Sequence, residues 1–451
     1  MRLPRVPNFR KLVAQTDLSR IIELIEQPHI REFVAQANSE YYHWEKFRRR
    51  PLPPALSVEH AWIAVKLGRV ANQRLAAMQD VNGTPFRWCL PDTAQRYLHL
   101  VDRNAGDLLS VDATSKSEID KWKQRILVDS HMEEAIATSQ IEGAVTTRMK
   151  AKEMLRAGRK PRDRSEQMIA NGFRTIRLLA EQAREPLTFD LLHRIQQAMT
   201  EGTLDRPEHA GTFRDSNDEQ IHVVDVRDEE IVYTPPPADQ VVSRMEKLLA
   251  FANEPDSDAN FMHPLVKASI LHFWLAYEHP YNDGNGRTAR ALFYWYMLKR
   301  GYWLFEFLTI SRVINAARMK YYRAFLYTET DENDLTYFIA YMLRTTWNAI
   351  EDLRSRIGEM SSQEQRMRQI VAVGIFNHRQ RAVLDHALRH SSAIFTFESH
   401  RVAHGISQVT ARQDVLGLFD RGLLIEVGGE RPREFAPAPD LLTRIQTDRT
   451  R

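Results

Sequence analysis

Apolar residues recur at three- and four-residue spacing along most of this chain, a period that predicts helices. Over residues 1–115 the pattern is clearest in "FRKLVAQTDLSRIIELIEQ" and "EHAWIAVKLGRVANQRLAAMQ". Between them, "RRRPLPPALS" (48–57) reads as a proline-rich loop, and "NGTP" (82–85) as a second break. From Ser117, "SEIDKWKQRILVDSHMEEAIATSQIEG" predicts a long helix. Ser117 serves as N-cap, Glu118 and Asp120 fill the first turn, and Gly143 marks the stop. Helices are expected again to about Glu201, and from Gln240 to about Arg368. One segment changes period: "IHVVDVRDEEIVYTPPP" (221–237) has two β-branched runs around 226–229 and predicts a hairpin ended by prolines. Two stretches are apolar nearly all round, "PLVKASILHFWLAYE" (264–278) and the run that follows Thr288, so both predict buried central helices. The polar loop "HPYNDGNGRTAR" (279–290) interrupts them.

That loop carries the candidate chemistry. Gly284 and Gly286 flank Asn285, and alternating glycines let backbone N–H groups converge into an anion-binding nest at a helix start. Arg287 and Arg290, three apart, share one side of the first turn and can grip phosphate oxygens. Asp283 offers one carboxylate to a Mg²⁺ completed by substrate oxygens. His279 sits at the lip, where a neutral imidazole can take a proton from a hydroxyl near neutral pH. These residues point to phosphoryl or nucleotidyl transfer from a Mg²⁺-nucleotide. Any one of them alone also fits an ordinary glycine turn; their joint occurrence favours the site. An EF-hand read from Asp283 would need oxygen ligands at Arg287 and Tyr294 and a glycine at Thr288, so it fails. No Walker-type phosphate loop is present.

HPYNDGNGRTAR resembles the Fic motif, with Tyr281 in the place of the usual phenylalanine and Glu278 where an aliphatic residue is usual. The resemblance extends from about Ser117 to about Leu353 and implies a mainly α, Fic-type helical core with a small β-hairpin flap. It implies transfer of AMP from ATP, with Mg²⁺ (or Mn²⁺), to a Tyr, Thr or Ser hydroxyl of a target protein and of the enzyme itself. His279 would be the base and Asp283 the metal ligand; Gly284, Asn285, Gly286, Arg287 and Arg290 would hold the phosphates, and Tyr321 and Tyr322 would lie near the adenine. "TSQIEG" then resembles the family's inhibitory helix, expected over about 118–143, with Thr138, Glu142 and Gly143 as its motif and Glu142 paired to Arg290. The hairpin resembles the flap that docks a target by strand addition, through Val223, Val224 and Val232. The glutamate beside the base raises a further expectation, that Glu278 lifts the His279 pKa.

The last residues follow another grammar. Three helical runs after Phe376 lead to "LIEVGGERPREFAP", with Gly405 at a turn and Ser407 as an N-cap. This resembles a winged helix-turn-helix that offers Gln408, Thr410, Arg412 and Gln413, with Arg431 and Arg433 of the wing, to DNA. The expected organisation is therefore an N-terminal helical region (1–115), a Fic core (116–355) and a winged-helix domain (365–451). A DNA-binding regulator with the core as nucleotide sensor, or transfer of another nucleotide or phosphate group, is the alternative. Composition adds bounds. A length of 451 residues suits two or three domains, and a net charge of +3 says little about partners. One cysteine, Cys89, excludes an internal disulfide and suggests a reducing, cytoplasmic setting. No signal peptide and no membrane span are expected; a homodimer is a further possible assembly.

Overall fold

The computed structural model describes residues 3–54, 56–104, 116–218, 220–224, 230–255, 257, 261–372, 376–389, 393–427 and 433–447; the side chains of 116–122, 360–372, 389, 446 and 447 lie outside the description. The chain is mainly α-helical, with three small antiparallel strand pairs among the described residues. It divides into two compact units, Met1–Leu353 and Arg354–Arg451. No helix among the described residues is long and apolar enough to cross a membrane.

At the centre of the first unit lie the helices Pro264–Glu278 and Asn285–Lys299, packed against each other. Pro264 opens the first at a position that needs no N–H, and His263 caps it by accepting from the Leu265 N–H (3.1 Å). Leu265, Ile270, Leu271, Phe273 and Leu275 on one helix, and Leu292, Trp295 and Met297 on the other, are fully buried. The helices Arg164–Glu181, Phe189–Thr200 and Val241–Asn253 surround this pair, and Lys116–Ile141 lies against Arg164–Glu181. That last crossing is close because Gly172 has no side chain: a Cβ there would sit 3.3 Å from Ala135 Cα. The 26-residue helix Lys116–Ile141 ends where Gly143 takes a left-handed φ of 96°.

The N-terminal region departs from an all-helical reading. The helix Val58–Val70 stops early, and Arg74–Gln79 pairs with Pro85–Trp88 as a hairpin. The run "RLAAMQ" consists of good helix formers, which hid a period of two: Ala76 and Met78 are buried while their neighbours are exposed. Asp80 fixes the turn by accepting from the Asn82 and Thr84 N–H groups, both at 2.8 Å. The region is bound into the first unit. Lys66 Nζ meets Asp331 at 2.8 Å with both side chains buried, Arg69 donates to the Tyr337 hydroxyl (2.8 Å), and the Tyr41 hydroxyl donates to Asp334 (2.6 Å).

In the second unit, the helices His378–Arg389, Phe397–His404 and Gln408–Asp420 precede a short hairpin of Leu424–Glu426 and Phe435–Pro437, then Leu441–Thr447. Leu384, Val415, Leu418, Leu423 and Phe435 form its core. Gly405 makes the left-handed turn (φ 60°), and Ser407 caps the next helix through the Thr410 N–H (3.2 Å). The wing tip, including Gly428, Gly429 and Arg431, lies outside the described residues.

Candidate active site

The two central helices meet at the motif, and a separate backbone device sets each half of the loop. The first helix ends at His279, whose backbone enters the left-handed region (φ 49°, ψ 55°). That conformation is uncommon away from glycine, and here it is held from outside by a buried arginine. Arg214 donates to the carbonyls of His279 (2.8 Å), Pro236 (2.5 Å) and Glu278 (3.3 Å), and its own N–H donates to the Pro280 carbonyl (2.9 Å). A guanidinium here also meets the negative end of the helix dipole.

His279 Nδ1 lies 3.1 Å from the Ala276 carbonyl oxygen. A carbonyl only accepts, so Nδ1 carries the proton and Nε2 is the basic nitrogen. Burial pushes the imidazole below its ordinary value, against the opposing influence of the Ala276 bond and the Glu142 charge. Glu278, expected to raise it, is engaged elsewhere. Its buried carboxylate accepts from Arg244 Nε (2.6 Å) and Nη2 (3.1 Å) and from Trp274 Nε1 (2.9 Å), so its charge is taken up on the side of Arg244. Arg244 also donates to the Gln79 and Asp80 carbonyls, which ties the N-terminal hairpin to the end of the histidine helix. Arg244→Met should strand the Glu278 carboxylate and cost about 3–5 kcal/mol, read as a lower urea midpoint.

The second half of the loop is a turn of buried polar groups. Gly284 has φ 84°, and a Cβ there would sit 2.5 Å from Thr200 Cγ2, so no other residue fits. Asn285 is buried and spends its amide on Tyr281, accepting from its N–H (2.9 Å) and donating to its carbonyl (2.7 Å). The Tyr281 hydroxyl meets His193 Nδ1 at 3.2 Å, which satisfies the polar atom that phenylalanine would lack. Tyr281→Phe should therefore cost only about 1 kcal/mol, measured by denaturation, and leave the loop in place. Gln196, fully buried, donates to the Asp283 carbonyl (3.0 Å) and accepts from the Gly211 N–H (2.5 Å). It straps the loop to the segment that carries Arg214. The sequence held no signal for Gln196, Arg244 or His193, whose partners lie far away along the chain.

Asp283 is 46% exposed, and its Oδ2 faces Arg287 Nη2 at 3.3 Å. Arg287 also donates to the Met199 carbonyl (2.9 Å), and its buried Nε has no partner among the described residues. No group of three or more His, Cys, Asp or Glu among the described residues could hold a metal alone. A single half-exposed carboxylate beside unsatisfied guanidinium hydrogens fits a Mg²⁺ completed by phosphate oxygens rather than a protein cage.

Arg290 is buried and engaged from the helix Lys116–Ile141. Its Nε donates to the Thr138 hydroxyl (2.8 Å), and its Nη2 donates to the Thr138 carbonyl (3.1 Å) and Glu142 Oε1 (2.9 Å). Burial would push the Glu142 carboxyl up, but the Arg290 and Arg287 charges prevail and hold it below its ordinary value. Gly286 lies directly beneath this carboxylate: a Cβ there would push the end of the Glu142 side chain aside. Glu142, Arg290 and Gly286 thus form one contact surface, assembled from residues about 150 positions apart.

Other expected residues fall around this centre. Tyr321 is buried with its hydroxyl 2.8 Å from His272 Nε2, while Tyr322 is 38% exposed on the helix Arg318–Thr330. Val223 and Val224 pair with Ile231–Tyr233 in a short hairpin; Val224 is exposed and Val232 partly so. The Tyr233 hydroxyl donates to the Tyr277 carbonyl (2.8 Å) and pins the hairpin beside the histidine helix. The expected turn at 226–229 lies outside the described residues. In the second unit, Gln408, Arg412 and Gln413 are exposed and Thr410 partly so, while Arg433 is paired to Glu426 (2.7 Å).

Parts of this chain are similar to known proteins. Residues 186–297 match the Fic/DOC family, and the chain carries a Fic domain. It is 34% identical over 70 residues to protein adenylyltransferase fic-1 of Caenorhabditis briggsae, covering 16% of this chain and 13% of that protein. It is 42% identical over 45 residues to protein adenylyltransferase Fic of Nematostella vectensis, covering 10% of each. The matched stretch is thus a small part of either relative. A crystal structure of a Fic family protein from Desulfovibrio desulfuricans G20 shares the fold, with a TM-score of 0.50 at 20% identity over 77% of this chain and 95% of that one.

Proposed function

We propose that this protein is an autoinhibited protein adenylyltransferase that moves AMP from Mg²⁺-ATP to a Tyr, Thr or Ser hydroxyl of a target protein and of itself. The observation that carries the reading is the Glu142–Arg290 contact across an otherwise intact histidine loop. His279 Nε2 takes the proton of the incoming hydroxyl. The hydroxyl oxygen then bonds to the α-phosphorus, and the bond to the pyrophosphate oxygen breaks. Gly286 and the start of the helix Asn285–Lys299 offer backbone N–H groups to the phosphates, Gly284 shapes the turn with its N–H on Asp283 Oδ1 (2.5 Å), and Arg287 and Arg290 neutralise the phosphates. Asn285 serves by holding the turn through Tyr281. Asp283 would hold Mg²⁺ (or Mn²⁺), which supplies charge neutralisation at the phosphates when bound with ATP. Tyr322 lines the adenine end, and Val223, Val224 and Val232 offer a strand edge to the target. While Glu142 occupies Arg290, the nucleotide lacks one of its arginines.

A second reading concerns the C-terminal unit. The exposed Gln408, Arg412 and Gln413 follow the Ser407 cap on one helix, as a winged-helix DNA reader would present them. Mass spectrometry of the Glu142→Gly protein incubated with ATP, UTP, GTP or CTP tests the first reading. A mass gain of one AMP, lost on His279→Ala, supports it. No covalent product with any donor, together with nucleotide-dependent DNA binding, favours a nucleotide-sensing regulator.

A further inference from the structure

The loop's metal-facing carboxylate has a second cationic neighbour that belongs to neither the motif nor the inhibitory helix. Arg164 begins the helix Arg164–Glu181, and its Nη2 lies 3.8 Å from Asp283 Oδ2, the same oxygen that Arg287 faces at 3.3 Å. Two guanidiniums from separate elements therefore bracket one carboxylate oxygen. The backbone that presents Arg164 is fixed. Asp163 caps the helix by accepting from the Glu166 N–H (2.8 Å). The buried Glu166 in turn accepts from Arg159 Nη1 (3.0 Å), Arg159 Nη2 (2.7 Å) and the Arg162 N–H (2.7 Å). The Arg164 side chain itself is held loosely. It is 58% exposed, and its other ion pair, to Asp205, is 3.6 Å long with the aspartate at the surface. Long, exposed pairs of this kind contribute little and are readily exchanged. The buried Arg287 Nε and Arg290 Nη1 have no hydrogen-bond partner among the described residues, so the cluster still has guanidinium donors to offer an anion.

From this geometry we infer that Arg164 is a third phosphate-binding arginine, which leaves Asp283 for the triphosphate of Mg²⁺-ATP. The inference rests on the proposed ATP reading. Asp283 would hold the divalent cation through the oxygen that Arg164 now faces at 3.8 Å; like charges repel, so Arg164 would turn from the carboxylate to the phosphate oxygens beside it. The fork of arginine suits two phosphate oxygens at once, which the point charge of lysine does not. The role is one of binding, separate from the proton transfer at His279.

The test is calorimetric titration of Mg²⁺-ATP into the full-length Glu142→Gly protein and into Glu142→Gly/Arg164→Ala, with thermal midpoints measured for both. The expected result is a dissociation constant raised roughly five- to tenfold by Arg164→Ala, with an unchanged midpoint, and partial recovery in Arg164→Lys. Equal affinity in the two proteins overturns the inference and leaves the ATP reading standing. A lower midpoint that accounts for the weaker binding, shown by the same loss in Arg164→Lys, also overturns it. Absence of Mg²⁺-ATP binding to the Glu142→Gly protein itself overturns both.

Discussion

Glu142→Gly should raise self-modification with labelled ATP by roughly 10- to 100-fold over the parent protein. The figure follows from the bond that is removed. A charge-assisted hydrogen bond to a buried group is worth about 1.5–3 kcal/mol, and about 1.4 kcal/mol is a factor of ten in rate. Glu142 accepts from Arg290 at 2.9 Å and lies directly over Gly286, so it occupies both the guanidinium and the floor of the nest. Glycine removes the carboxylate and leaves the Arg290 bonds to the Thr138 hydroxyl and carbonyl in place. Arg290 keeps its buried position and gains a free edge for phosphate. Thr138→Val should release less, because it removes the 2.8 Å bond to Nε and keeps the carboxylate in place. Initial rates by autoradiography decide the matter. A Glu142→Gly protein no faster than the parent would sink the idea of a brake.

His279→Ala, made in the Glu142→Gly background, should lower transfer by a factor of about 10²–10⁴, the range expected for loss of a positioned general base. The thermal midpoint should hardly change, since the Arg214 contacts that set this turn run to backbone carbonyls and not to the imidazole. The pH dependence gives the same residue a second check. The base must be neutral, and burial holds the imidazole below its ordinary 6.5. Activity should therefore be flat at neutral pH and fall only as the pH drops through a value below 6.5. The Glu142 charge favours the protonated ring, so its removal should move the acidic limb lower still. Glu278→Ile should leave the limb where it is, because Arg244 and Trp274 take up that carboxylate. A limb that moves with Glu278, or one above 6.5, would contradict this electrostatic account.

Much of the site was readable in the chain because its parts are local. The apolar runs on either side of the motif can only be buried helices, so the chain had to turn inside the protein where the motif joins them; the turn falls at 279–284, and Asn285 begins the second helix. Within that turn, residue types at fixed spacing carry the chemistry: glycines beside a helix start, arginines three apart, one histidine and one carboxylate. The central helices, the end of the long helix at Gly143 and the change of period at the hairpin follow from the same short-range rules. The strands Arg74–Gln79 and Pro85–Trp88 show where those rules gave way, since alanine and methionine favour a helix until burial on one face of a hairpin outweighs propensity.

What the tertiary structure decided is who meets whom. Spacing places Arg290 on a helix face, but only packing brings Glu142 and Thr138 to it and Asp283 to Arg164. Gly286 could be read as a nest residue, yet the Glu142 carboxylate above it comes from the turn just after a helix that lies close because Gly172 has no side chain. Arg214, Gln196 and Arg244 fix the loop through backbone carbonyls and a buried carboxylate that no periodicity marks. Local composition determines which groups can bind phosphate and move a proton. Long-range burial, through desolvation and the partners it forces together, determines which of them are engaged in this structure.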